Sequence, residues 1–69
     1  MNEKVKIHSE NIKLDQFLKW SGITQTGGEA KQTVAEGRVL VNGEKCLQRG
    51  KKLRVGDKVE FNGKTIEIC

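Results

Sequence analysis

Two Asn-Gly pairs, Asn42-Gly43 and Asn62-Gly63, constrain this chain more than any other feature. Each adjoins short runs that read as strands: RVLV, apolar after Arg38 and β-branched at Val39 and Val41, before the first, and KVEF and KTIEI, which alternate polar and apolar residues, around the second. Asn and Gly accept the positive φ angles of a type I′ turn, and a two-residue turn of that type joins neighbouring antiparallel strands. The second half of the chain is therefore predicted to form two hairpins. Val39 and Val41 share one face and Leu40 takes the other, while Val59, Phe61, Ile66 and Ile68 are the apolar members of the second hairpin. Leu47 and Leu53 flank a basic loop and are expected to anchor it. Gly56-Asp57 marks another turn, and the final strand is free to pair elsewhere.

Before Gly37 the period is different. Leu14, Phe17 and Leu18 recur at helical spacing, so a short helix with one apolar face is predicted, ending at Gly22. Thr26 followed by Glu29 forms a capping box, with each residue reaching a backbone amide of the other. That box opens a second helix whose inner face is Ala30, Thr33 and Val34 and which stops at Gly37. So short a helix holds only when packed. Ahead of both, KVKI at 4–7 alternates and reads as a strand with Val5 and Ile7 facing inward. Trp20 reads either as a cap packed over the end of the first helix or as a partly exposed ring. The expected class is α+β: two short packed helices against a small, mostly antiparallel sheet with an extra N-terminal strand, in a single domain spanning 1–69.

A chain of 69 residues supports one small core, burying about 60–65% of the surface its unfolded form exposes. It has no run of 18 apolar residues to cross a membrane, and MNEKVKIHSE lacks the apolar centre of a signal peptide. Cys46 reads as a small apolar residue beside a hairpin and Cys69 as a tail thiol, which suits a reducing cytoplasm. With His8 they fit no zinc spacing, so neither metal nor cofactor is expected. Catalysis needs an activated nucleophile with an oriented base. The chain offers one histidine and no tyrosine, and no catalytic residue is assigned. TGGEAK also lacks the spacing of a nucleotide-binding loop.

Charge is the stronger signal. Thirteen cations against nine anions leave a net charge of +4, which favours a polyanionic partner. Arg49, Lys51, Lys52 and Arg54 cluster in QRGKKLR, Lys13 opens the first helix, Lys31 lies near the start of the second and Arg38 follows its end. Gly27 and Gly28 leave the amides of the second helix's first turn uncovered, as a phosphate oxygen requires. A tight turn that lets the helices approach needs the same pair.

The block KLDQFLKWSGITQTGGEAKQTVAEGRVLVNG, residues 13–43, resembles the RNA-binding domain named after the fourth protein of the small ribosomal subunit, also called the alpha-L motif. The resemblance is carried by Lys13-Leu14-Asp15, Phe17-Leu18, Gly22, Ala30-Lys31, Gly37 and Val41-Asn42-Gly43, and continues through Val55-Gly56-Asp57, giving a motif core at 13–61. The similarity extends to small stand-alone bacterial members. It implies a monomer that binds structured RNA, ribosomal RNA or a ribosome-associated complex, through the helix pair and the adjoining loop. Lys13 and Lys31 would then meet the phosphate backbone, with Arg38 and the Arg49–Arg54 cluster extending the surface. Where the family commonly has Ser-Arg at the turn into the second helix, this chain has Thr26-Gly27: the cap is kept and the cation is lost. Duplex RNA would be read by shape and 2′-hydroxyls. Trp20 is the only candidate for stacking an unpaired base. The alternative is a protein-interaction adaptor that uses the same basic face, favoured by an apolar patch around Trp20 and Ile23.

Overall fold

Both Asn-Gly pairs turn the backbone through the left-handed region: Asn42 and Asn62 at φ 52°, Gly43 at 86° and Gly63 at 77°. The structure, a computed structural model, describes residues 2–69. Across the first turn β3 (Val39–Val41) pairs antiparallel with β4 (Glu44–Lys45). Across the second, β6 (Lys58–Phe61) pairs with β7 (Lys64–Ile68). The hairpins join through β3 and β6, with Val41 opposite Val59. The last strand also pairs elsewhere: β1 (Asn2–Val5) lies parallel to β7 and completes a sheet of order β1-β7-β6-β3-β4.

The N-terminal strand begins earlier than the alternation of KVKI suggests and ends at Val5. Its pairing outlasts it. Cys69 N–H donates to the Val5 carbonyl at 3.0 Å, and Ile7 N–H donates to the Cys69 carbonyl at 3.1 Å. These bonds carry Ile7 into the core although it stands outside the strand.

The helices are α1 (Leu14–Trp20) and α2 (Gly27–Ala35). Thr26 Oγ1 accepts the Glu29 N–H at 3.1 Å, satisfying one amide that the helix start leaves without an internal partner. The Glu29 carboxylate does not return a bond to the Thr26 amide, so only half of the capping box forms. The periodicity is otherwise reproduced, with Ala30, Thr33 and Val34 buried on α2 and Leu14, Phe17 and Leu18 on α1. Gly22 and Gly37, at φ 86° and 73°, end the two helices. Five of these side chains, Leu14, Phe17, Leu18, Ala30 and Val34, pack with Val39, Val41, Val59, Ile66 and Ile68 in one core, and Thr33, also buried, donates its hydroxyl to the Glu29 carbonyl at 2.9 Å. Each large apolar side chain so buried contributes about 1.5–3 kcal/mol, which offsets the nucleation cost that a seven-residue α1 could not meet alone.

The basic segment departs from expectation. It is not all loop: Lys52–Arg54 form β5, antiparallel to β2 (Asn11–Lys13), in a second sheet of two strands. Leu53 anchors it, fully buried, whereas Leu47 is 60% exposed and anchors nothing. The difference follows from strand alternation, since Leu53 takes the inward position between two outward cations. Leu47 follows β4, and its neighbour Cys46 takes the buried place. Cys69 is exposed, as expected of a tail thiol.

Candidate nucleic-acid interface

The register of the two-stranded sheet decides where the cations stand. Lys13 lies directly opposite Lys52, and Asn11 opposite Arg54. All four residues are exposed, while Ile12 is half-buried and Leu53 buried beneath them. The outer side of this ladder therefore presents Lys13, Lys52 and Arg54 together. Like charges directly opposite one another destabilise a strand pair. The fold holds that repulsion in place by burying Leu53.

Arg49 and Lys51 join the ladder through their backbones. The Lys51 carbonyl accepts the Leu14 N–H at 2.9 Å, and the Arg49 carbonyl accepts the Asp15 N–H at 3.0 Å. Lys13, the residue before α1, provides no side-chain cap; the basic segment's carbonyls do that work. The same two bonds fix residues 49–51 beside Lys13 and leave both side chains exposed. At the far end of β5, Asp57 closes the turn, its Oδ2 accepting the Arg54 N–H at 2.9 Å and its Oδ1 accepting from Asn42 Nδ2 at 3.3 Å. The Asp57 carboxylate is thus directed at amides and makes no ion pair with the Arg54 guanidinium. Among the described residues the ion pairs are Arg38–Glu36 at 3.5 Å and Lys64–Glu3 at 3.0 Å. None of Lys13, Arg49, Lys51, Lys52 and Arg54 is in one.

The other expected residues stand apart from this group. Arg38 bonds to Glu36, and its guanidinium lies 5.2 Å from the centre of the Phe61 ring, so part of its charge is matched locally. Lys31 is exposed on α2, one turn beyond Gly27, with no bond to the ladder. Gly27 and Gly28 are both exposed, and a Cβ built on either meets nothing within 4 Å. Neither has a positive φ, so the fold itself does not demand glycine at either position. On the open face of the five-stranded sheet a groove of about 730 Å³ mixes Lys4 and Lys58 with Glu3, Glu60 and Glu67. Its charges offset one another, unlike those of the ladder.

Two contributors escaped the sequence reading. Asn11 stands in the ladder opposite Arg54. Lys45 lays its side chain over Gly37, with Cδ 3.2 Å from where a Cβ would be, and lines a hollow with Leu47, Gln48 and Lys51. The matched polar–apolar–polar triplets NIK and KLR were the available signal for the ladder. His8 meets Trp20 edge-on, Cys46 is buried and Cys69 is exposed. Among the described residues no group of three or more metal-binding side chains comes together. Among the described residues no helix is long and apolar enough to cross a membrane.

The S4 domain family pattern matches residues 5–69. The chain belongs to the S4 domain family. This S4 domain is 48% identical over 63 residues to a Bacillus subtilis protein named probable ribosome maturation protein RlbA, covering 91% of this chain and 89% of the relative. It is 31% identical over 58 residues to YbcJ of Escherichia coli, covering 84% of this chain and 83% of that one. The solution structure of YbcJ, described as an AlfaL motif involved in RNA-binding, superposes with a TM-score of 0.66 at 28% identity, over 97% of this chain and 84% of YbcJ. The S4 domain also matches the small ribosomal subunit protein uS4B of Clostridium acetobutylicum, at 33% identity over 97% of its own length but only 35% of that protein. The matched region thus makes up most of RlbA and YbcJ but only about a third of the larger ribosomal protein.

Proposed function

We propose that this S4 domain binds structured RNA, ribosomal RNA or a ribosome-associated precursor, through the β2–β5 ladder and the turn that caps α1. The observation that carries this reading is the Lys13–Lys52 register pair, flanked by Arg54, Arg49 and Lys51, with no carboxylate paired to any of the five. A fold that sets like charges opposite each other without internal relief is complementary to an external polyanion. The names of RlbA, YbcJ and uS4B support RNA as that polyanion and the ribosome as its setting, hence a cytoplasmic site of action. Lys31 and the Gly27-Gly28 amides widen the surface along α2; Arg38, already paired, contributes less.

Binding then comes from displacing the counterions condensed on RNA phosphates and requires no chemical step. Five phosphate contacts give an expected log–log salt slope of about −3.5 to −4.5, taking roughly −0.7 to −0.9 per contact. Titration of a structured ribosomal RNA fragment between 50 and 200 mM salt, on the order of the range where such slopes are read, tests this. A flat response counts against the interface. Little sequence preference is expected, because duplex RNA is read through its shape and backbone.

The glycine pair allows a second test. Alanine at Gly27 and Gly28 meets no steric obstacle and raises helix propensity by up to about 1 kcal/mol per site. The double variant is expected to melt at a higher temperature and to bind RNA more weakly, because methyl groups then stand between the α2 amides and a phosphate. A variant that is more stable and binds equally well removes the glycine pair from the interface.

The adaptor reading needs contiguous apolar surface around Trp20 and Ile23. Trp20 is exposed, but Ile23 packs partly against the core. The unpaired cations favour RNA.

A further inference from the structure

Trp20 is 55% exposed, unusual for the one tryptophan of a chain short of core material. It is not a loose ring. Its Nε1–H donates to the Lys6 carbonyl at 2.9 Å, and the His8 ring stands at 89° to it with centroids 6.1 Å apart. These two contacts hold the indole in one orientation at the end of α1. Beside it lies a hollow of about 250 Å³, lined by Ile7, His8, Ser9, Ile12 and Trp20. That is too small for a drug-sized ligand, whose sites run to about 300–1,000 Å³, and it suits one flat ring.

The setting specifies which ring. No acidic side chain lines the hollow, and Lys6 and Lys19 flank it in sequence against one carboxylate, Glu10. Ile12 is the middle residue of β2, with its side chain on the face opposite those of Asn11 and Lys13, so the hollow borders the other face of the strand that carries the cationic ladder. Trp20 is six residues along α1 from Leu14, about 9 Å at 1.5 Å per residue. A strand whose phosphates rest on Lys13 and Lys52 reaches that far in a few nucleotides.

We propose that Trp20, braced by His8, is the stacking platform for an unpaired nucleobase flanking the structured RNA. This rests on the RNA reading above and adds a preference to it: the ladder takes the phosphates of the duplex, and Trp20 takes one base beyond its end. An aromatic face stacks on any base, so the preference is for a single-stranded flank rather than for a sequence. Because the ring is already fixed, stacking orders little that was mobile before.

The single tryptophan makes intrinsic fluorescence a report on this site alone. The probes are a blunt-ended RNA hairpin and the same hairpin extended by a short unpaired tail. Both are expected to bind, the tailed RNA more tightly, and only the tailed RNA to quench the emission. Trp20→Ala is expected to weaken binding of the tailed RNA by about 5- to 150-fold, the worth of one base–aromatic stack, and to leave the blunt hairpin unaffected. Trp20→Phe keeps most of the preference, and thermal melts establish that both variants fold. Tailed RNA that binds without quenching overturns the platform, as does equal weakening of both RNAs by Trp20→Ala. Quenching by RNA-free ribosomal proteins but not by tailed RNA assigns the hollow to a protein partner and overturns it too. If neither RNA binds, the RNA reading itself fails, and the platform with it.

Discussion

Changing Arg49, Lys51 and Lys52 together to glutamate is expected to abolish RNA binding while the fold persists. The counterion term for three lost phosphate contacts is alone worth about two to three decades of affinity at 0.1 M salt, and the new carboxylates add repulsion. The fold survives because these residues serve it through their backbones. The Arg49 and Lys51 carbonyls cap α1 whatever side chains they carry. Lys52→Glu also replaces a like-charge pair with Lys13 by an opposite one, a change worth roughly 0.2–1 kcal/mol in favour of the strand pair. Titration of a structured ribosomal RNA fragment, with a thermal melt of each protein, separates the two effects. Equal affinity for the natural chain and the triple variant would remove the ladder and its turn from the interface.

Leu53→Ala should cost the most stability for its size. Leu53 is fully buried and is the residue that ties β5 to the core. Truncating such a leucine costs about 2–5 kcal/mol. A domain of this length has roughly 3–10 kcal/mol in total, so the variant populates unfolded chains measurably. What remains folded has a looser ladder, with amide exchange expected to quicken at Ile12 and Leu53, the hydrogen-bonded pair of the β2–β5 register, before the β3–β6 pair. Leu47→Ala is the control: at 60% exposure it should fall within about 0.5 kcal/mol of the natural chain. Urea denaturation of both decides. Similar midpoints would mean that Leu53 is not the anchor.

The contrast between those leucines shows how far the sequence could be read. Both flank the same cations and look equivalent on paper. Only strand alternation separates them, and β5 has three residues, too few for a period to declare itself. The hairpins were legible because Asn-Gly acts on its own two residues. The helical faces were legible because Leu14, Phe17 and Leu18, and Ala30, Thr33 and Val34, repeat within a few positions. Half of the capping box formed because Thr26 needs only its own third neighbour; Glu29 had solvent as an alternative. Trp20 was undecidable from the helix pattern, since its partners, the Lys6 carbonyl and His8, come from the segment before β2. The candidate site divides the same way. The cations could be counted, but whether they were paired could not. Arg38 proved to be held by Glu36, which precedes α2's exit turn, and by Phe61, which follows a hairpin away.

By itself the sequence determined the turns, the two helical faces, the alternation of the long strands and the excess of positive charge. Each depends on residues within a few positions of one another, where backbone sterics and side-chain period act directly. Tertiary structure alone decided that Lys13 faces Lys52 and that the basic segment caps α1. β2 and β5 are short, distant in the chain and without intrinsic strength. They meet only because Leu53 and Leu14 are buried in the same core, and that burial sets the register that gathers the cations.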